Sequence, residues 1–217
     1  MSRVSKSLWA LAAFLSLGVA LFSYRLLLPS LPAVGNDIAA NVMRRPWLPI
    51  HAGFAATALL IGPLQFLPRL RMRLPKLHRN IGKTYVIACL TAAPAGLVLA
   101  TGTDAGPVAQ WGFGTLAVLW FGATAYAFWL ATQGRIAEHR RWMIRSFAMT
   151  FAAVTLRLYL PIPPMFLHMN FLEGYRIISW FSWTSNLVVA EIYLNWANLR
   201  GGFTRRHADR MLSVEAQ

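Results

Sequence analysis

Acidic side chains are scarce in this chain. Its 217 residues include seven Asp and Glu against 21 Lys and Arg, for a formal net charge of +14. Only Glu191 falls inside an expected helix core, which leaves little for a carboxylate proton relay or a divalent-cation transporter. Cysteine is nearly absent too. Cys89 stands alone, which excludes an internal disulfide and any Cys-Cys metal site. There is no phosphate-binding glycine loop, no H-E-x-x-H and no nucleophile elbow.

What the chain has instead is apolar sequence, 57% of its residues. In a soluble protein such a positive charge would point to nucleic acid. Here the cations lie between long apolar runs, as in a membrane protein, and no nucleic-acid partner is expected. Crossing a hydrocarbon core about 30 Å thick takes roughly 20 apolar helical residues. Six runs qualify: 8–28, 47–67, 81–101, 108–132, 142–160 and 175–196. They are continuous and not alternating, so helices are expected and a barrel is not. The first run is long for a signal peptide and no clear A-x-A site follows, so it reads as an uncleaved helix.

With the N-terminus inside, sixteen of the 21 cations fall on the inner side. The expected fold is therefore an all-α, multi-pass membrane protein of six transmembrane helices with both termini cytoplasmic. A core of two helical hairpins, helices 2–3 and 4–5, would be flanked by helices 1 and 6. Residues 1–217 form a single domain, with 201–217 a short basic cytoplasmic tail that includes His207. A short surface helix is expected around Asp37–Met43.

Two phrases recur. "KLHRNIGKTY" (Lys76 to Tyr85) and "AEHRRWMIRSF" (Ala137 to Phe147) each carry His-Arg, a spacer, a cation, a small hydroxyl residue and an aromatic. Each leads into a returning helix, which relates the two hairpins as a parallel repeat. His78 and His139 then share a depth near the cytoplasmic surface, while His51 and His168 lie near the outer one. A bis-histidine haem b needs two neutral imidazoles on different helices, facing across a plane. His78 and His139 are the inner candidates for haem iron, His51 and His168 the outer.

Helix 2 carries a stripe. His51, Ala55, Ala58, Gly62 and Gln65 fall at i, i+4, i+7, i+11 and i+14 on one face. Either it packs closely against a neighbouring helix or it forms a groove for a flat ligand such as a haem edge or a quinone ring. His51, Gln65 and Arg157 are candidates for holding the quinone. Arg145 and Glu191 should lie at one depth and form a structural ion pair. Arg157 has no acid at its level. Freed carbonyls, Asn170, Asn186, an anionic ligand or the outer headgroups are open to it.

His51 with Gly53, "GPLQF" (Gly62 to Phe66), "LHRNIGKTY", "HRRWMIRS" and Arg157 together resemble a family of bacterial predicted membrane proteins, domain of unknown function twenty-three-oh-six. The resemblance covers most of the chain. It implies a multi-helix inner-membrane protein and carries no established activity. A more distant likeness is to cytochrome b561-type proteins, with six helices, a four-helix core and histidine pairs at two depths. The expected function is thus a redox membrane protein of the inner membrane, binding haem b or a quinone. The alternatives are a small permease for an anionic or amphipathic solute and a non-catalytic membrane subunit. The lipid bilayer is the expected partner, with an electron-transfer partner or a second copy also open.

Overall fold

The computed structural model describes residues 3–27 and 46–215, which are helical with short connections and no strand. The expected Asp37–Met43 helix and the side chain of His207 lie outside the residues so described. Among the described residues nine α-helices follow one another: α1 (Arg3–Tyr24), α2 (Trp47–Ile61), α3 (Pro68–Arg73), α4 (Pro75–Thr101), α5 (Pro107–Thr132), α6 (Ile136–Thr150), α7 (Ala152–Tyr159), α8 (Ile162–Phe166) and α9 (Phe171–Glu215). Pro68, Pro75 and Pro107 open their helices, where a missing N–H costs nothing and the fixed φ suits the first turn. Gly106 (φ 87°) and Gly134 (φ 71°) make the turns before α5 and α6, a left-handed geometry that glycine adopts without a Cβ penalty.

Among the described residues five segments are long and apolar enough to cross a membrane: 6–24, 47–66, 75–101, 107–132 and 136–166. They fall on the first five expected runs. Pro63 does not kink a continuous helix. It sits at the start of a 3-10 turn, Gly62–Phe66, that finishes the second segment. The fifth is built from α6, α7 and α8 with a break at Phe151. The sixth run is the middle of α9 and is not among the five. Its polar residues lower its hydropathy, and several of them meet other helices. Ser179 lies against Gly112, Asn186 donates to the Ala148 carbonyl beside the Phe151 break (3.1 Å), and Glu191 pairs with Arg145. Ile177, Phe181, Val188, Val189 and Ile192 of α9 are exposed. Such a face is a liability in water but ordinary against lipid tails.

Helix α2 packs along α4, α4 along α5 and α5 along α6, while α1 covers α2 and α9 covers α5, α6 and α7. The core is made mostly of small residues, with Ala58, Ala88, Cys89, Ala92 and Ala93 surrounding Tyr85 and Trp120. Small residues let helix backbones approach closely where lipid supplies no hydrophobic drive between them. At the α2–α4 contact the fit has a simple rule: large groups stand on glycines of the facing helix. A Cβ on Gly96 would lie 2.8 Å from the His51 ring, and one on Gly82 would lie 3.3 Å from Gln65 Oε1. A Cβ on Gly62 would lie 3.3 Å from the Tyr85 ring and 2.5 Å from Phe147. Residue numbers rise along one helix as they fall along the other, so α2 and α4 run antiparallel.

Candidate functional site: a polar column through the bundle

The contact face of α4 carries His78, Gly82, Tyr85, Cys89, Ala92 and Gly96. These fall at i, i+4, i+7, i+11, i+14 and i+18, the spacing of one helical face. The α2 stripe lies along it, and its middle is filled by Tyr85 and Phe147. The polar groups therefore gather at three levels: the end that carries the cations Arg69 to Lys83, here the basic end, then the middle, and the opposite end.

At the basic end three sequence-derived candidates converge from different segments. Gln65 leans over Gly82, one turn beyond His78. His78 lies close enough to His139, Arg71 and Arg79 to feel their charges. Gln65 Nε2 and His78 Nδ1 are buried with no hydrogen-bond partner among the described residues. His139 reaches across to α5, with Nδ1 2.7 Å from the carbonyl oxygen of Ala127. A carbonyl only accepts, so Nδ1 carries the hydrogen, and the Nε2 lone pair of the neutral ring is left to bind a metal or accept a proton.

The middle holds a hydroxyl network that sequence reasoning missed. Tyr85 Oη lies 2.8 Å from Thr150 Oγ1 and 3.0 Å from Ser146 Oγ. Trp120 Nε1 donates to Thr150 Oγ1 (2.9 Å), and Ser146 Oγ lies 2.7 Å from Thr124 Oγ1. All five side chains are buried. Proton bookkeeping fixes most of the directions. Thr124 and Thr150 donate their hydrogens to the carbonyls of Trp120 and Ser146, one turn back on their own helices. Toward other side chains they can only accept. Ser146 then donates to Thr124, and Thr150 accepts from both Trp120 and Tyr85. The network ties α4, α5 and α6 together. Its visible signal was Tyr85, a tyrosine in the interior of an apolar span.

At the opposite end His51 rests on Gly96 with Nδ1 2.9 Å from the Ala92 carbonyl oxygen. It too keeps Nε2 as the acceptor nitrogen when neutral. The charge of Arg157 acts on it. Arg157 donates to the Ala153 carbonyl (2.7 Å) and Ser23 Oγ (3.0 Å) and lies over Phe22. Of its expected partners, a backbone carbonyl is the kind it has taken. Asn186 bonds Ala148 and Thr155 instead, and Asn170 caps α9 in a reciprocal pair with Glu173. Gln65 lies at the other end of α2 from His51 and Arg157. His168 is exposed in the loop before α9, with φ 51°.

Arg145 and Glu191 form a two-point ion pair between α6 and α9, extended by Asn195 Nδ2 donating to Glu191 Oε2 (3.2 Å). Hollows of about 490 and 170 Å3 lie away from the histidines, one beside Arg176 and Trp180, the other beside this ion pair. Among the described residues no three His, Cys, Asp or Glu side chains gather as a metal site. An iron here would need a macrocycle for its remaining ligands.

Neither a curated protein nor a solved structure matches the chain, so the comparisons lend no support to the likeness to cytochrome b561-type proteins. A family model does match. It covers residues 48–194, more than half of the chain and the whole polar column, and the chain belongs to the family it describes as "Predicted membrane protein (DUF2306)".

Proposed function

We propose that the chain is a redox protein of the inner membrane that binds haem b between His78 and His139 at its cytoplasmic end. The observation that carries this reading is the close approach of Tyr85 Oη to Ser146 Oγ across the bundle, 3.0 Å between residues 61 positions apart. The same spacing separates His78 from His139, each seven residues back on the same helix face as its hydroxyl partner. This register puts the two histidines at one level near one end of α4 and α6, the arrangement a shared haem would need. His139, with its Nδ1 hydrogen spent on Ala127, presents Nε2 as an iron ligand would. Arg71 and Arg79 beside His78 would neutralise propionates.

The topology that goes with it has six spans, α9 supplying the sixth. The hairpins α2–α4 and α5–α6 form the core, and both termini are cytoplasmic, as the distribution of cations favours. In this frame the hydroxyl network is a rigid floor under the haem site. A soluble or membrane-bound electron-transfer partner would meet the basic loops.

The test is a reduced-minus-oxidised spectrum of membranes from cells supplied with excess haem. Wild type should show b-type bands, and His78→Ala and His139→Ala should each lose them. No bands in wild type, or bands untouched by both substitutions, would remove the haem reading.

A further inference from the structure

We propose that the basic end also binds a membrane-soluble quinone, one of whose carbonyl oxygens accepts hydrogen bonds from Gln65 Nε2 and His78 Nδ1. This site stands beside the haem reading and does not depend on it. An imidazole can bind iron through Nε2 and donate through Nδ1 at the same time.

Four buried side-chain polar atoms have no hydrogen-bond partner among the described residues: Ser16 Oγ, Ser182 Oγ, Gln65 Nε2 and His78 Nδ1. The two serines sit within helices, where a turn about χ1 aims the hydroxyl at the carbonyl one turn back. A primary amide at the end of a long side chain and an imidazole nitrogen do not reach that local carbonyl by a turn about χ1, and flipping either group exchanges its atoms without bringing a new partner into the described structure. These two come from different segments and lie about one helical turn apart, because Gln65 rests on Gly82, four residues along α4 from His78. Native proteins rarely leave buried donors unpaired, and where they do a ligand is one of the standard reasons.

The surroundings narrow the ligand. Both groups can donate hydrogen bonds, so the ligand must offer an acceptor oxygen. Gly82 gives a floor without a side chain. Phe66, the last residue of the same 3-10 turn as Gln65, and Phe147, ring centroids 5.2 Å apart with planes tilted by 58°, supply aromatic surface beside that turn. Arg71 and Arg79 act on His78, so negative charge gathering on the oxygen when the ring is reduced would be favoured. A ring carbonyl delivered from the lipid meets all of these conditions. It also puts Gln65 at a quinone site separate from His51 and Arg157 at the far end of α2.

The full chain in phosphatidylcholine nanodiscs would be titrated with a decyl-benzoquinone and with decylbenzene, reading the thermal unfolding midpoint and the haem spectrum on the same samples. A ligand that binds only the folded state raises the midpoint with its concentration. The quinone should give a saturable rise and decylbenzene none. Gln65→Leu and Gln65→Glu should weaken quinone binding by roughly five- to tenfold, the size of one lost hydrogen bond. Tyr24→Phe, at the opposite end, should leave it unchanged. The proposal is overturned by a flat quinone titration, by an equal response to decylbenzene, or by Gln65 variants of native helicity that bind like wild type. Gln65-dependent binding without a haem band would sink the haem reading alone. A haem band with binding indifferent to Gln65 would sink this one alone.

Discussion

Tyr85 and Thr150 share one hydrogen bond in the middle of the bundle, yet removing their hydroxyls should cost different amounts. In Tyr85→Phe one donor disappears and no donor is stranded. Trp120 Nε1 keeps Thr150 Oγ1 at 2.9 Å, and Ser146 keeps Thr124 at 2.7 Å. The loss is one net hydrogen bond, about 0.6–1 kcal/mol for interhelical bonds in membrane proteins and for neutral bonds generally. Thr150→Val is nearly isosteric but removes an acceptor serving two donors. The Tyr85 hydroxyl can turn to Ser146 Oγ, already 3.0 Å away. The indole N–H of Trp120, a 5% exposed residue, has beside it only the sulfur of Cys89, an acceptor too weak to replace the threonine oxygen. Stranding it adds the desolvation cost of an unpaired group, about 1–3 kcal/mol, so Thr150→Val should cost about 2–4 kcal/mol in all. The measurement is unfolding of the purified protein by dodecyl sulfate in mixed micelles, followed by helical circular dichroism. Equal losses, or a larger loss for Tyr85→Phe, would refute the assignment of Thr150 as the double acceptor.

Four further outcomes are expected. Gly62→Ala places a methyl group 2.5 Å from the Phe147 ring and should destabilise by about 1–3 kcal/mol in the same assay, as overpacking does, whereas Gly122→Ala, with nothing within 4 Å, should be neutral or slightly stabilising. Asn170→Ala removes the α9 cap to Glu173 N (2.9 Å) and should cost about 1 kcal/mol. Cys89 is fully buried, so a membrane-permeable maleimide should label it only after denaturation, and ready labelling of the native protein would contradict the packing around Tyr85. In a Cys89→Ala background, cysteines placed at Met72 and at Thr103 should react with an impermeant maleimide from opposite sides of the membrane, and labelling from the same side would end the proposed topology.

The five spans that meet the length and hydropathy test could be read from sequence because lipid imposes one requirement, a long apolar helix, that composition records directly. The middle of α9 was legible only as an expectation. Its Ser179, Asn186 and Glu191 dilute the hydropathy, and contacts between helices explain why they are tolerated. The α2 stripe was legible as a face but not as a contact. Spacing says which residues look the same way and nothing about what they look at. The answer lies in a second sequence feature of the same period, Gly82 and Gly96 on α4, and glycines in an apolar run give no sign of which neighbour leans on them.

The hydroxyl network was hidden for a related reason. Threonine in a membrane helix satisfies itself on the carbonyl one turn back, as Thr184 does here, so a threonine in the sequence carries no message of a cross-helix bond. Thr124 and Thr150 make the same local bond and still accept from elsewhere, because an oxygen that has spent its hydrogen keeps its lone pairs. A network of this kind needs at least one residue whose hydrogen has no local outlet. Tyr85 and Trp120 fill that role, since both give their hydrogens to Thr150 Oγ1 across the bundle, whereas the Trp183 indole turns back to the Ser179 carbonyl on its own helix. In a helix-rich apolar chain, a tyrosine in the interior of a span, whose hydroxyl stands too far out to reach its own backbone, is therefore a better pointer to cross-helix polar contacts than the serines and threonines that receive it, and a tryptophan such as Trp183, bonded to its own helix, is a weaker one.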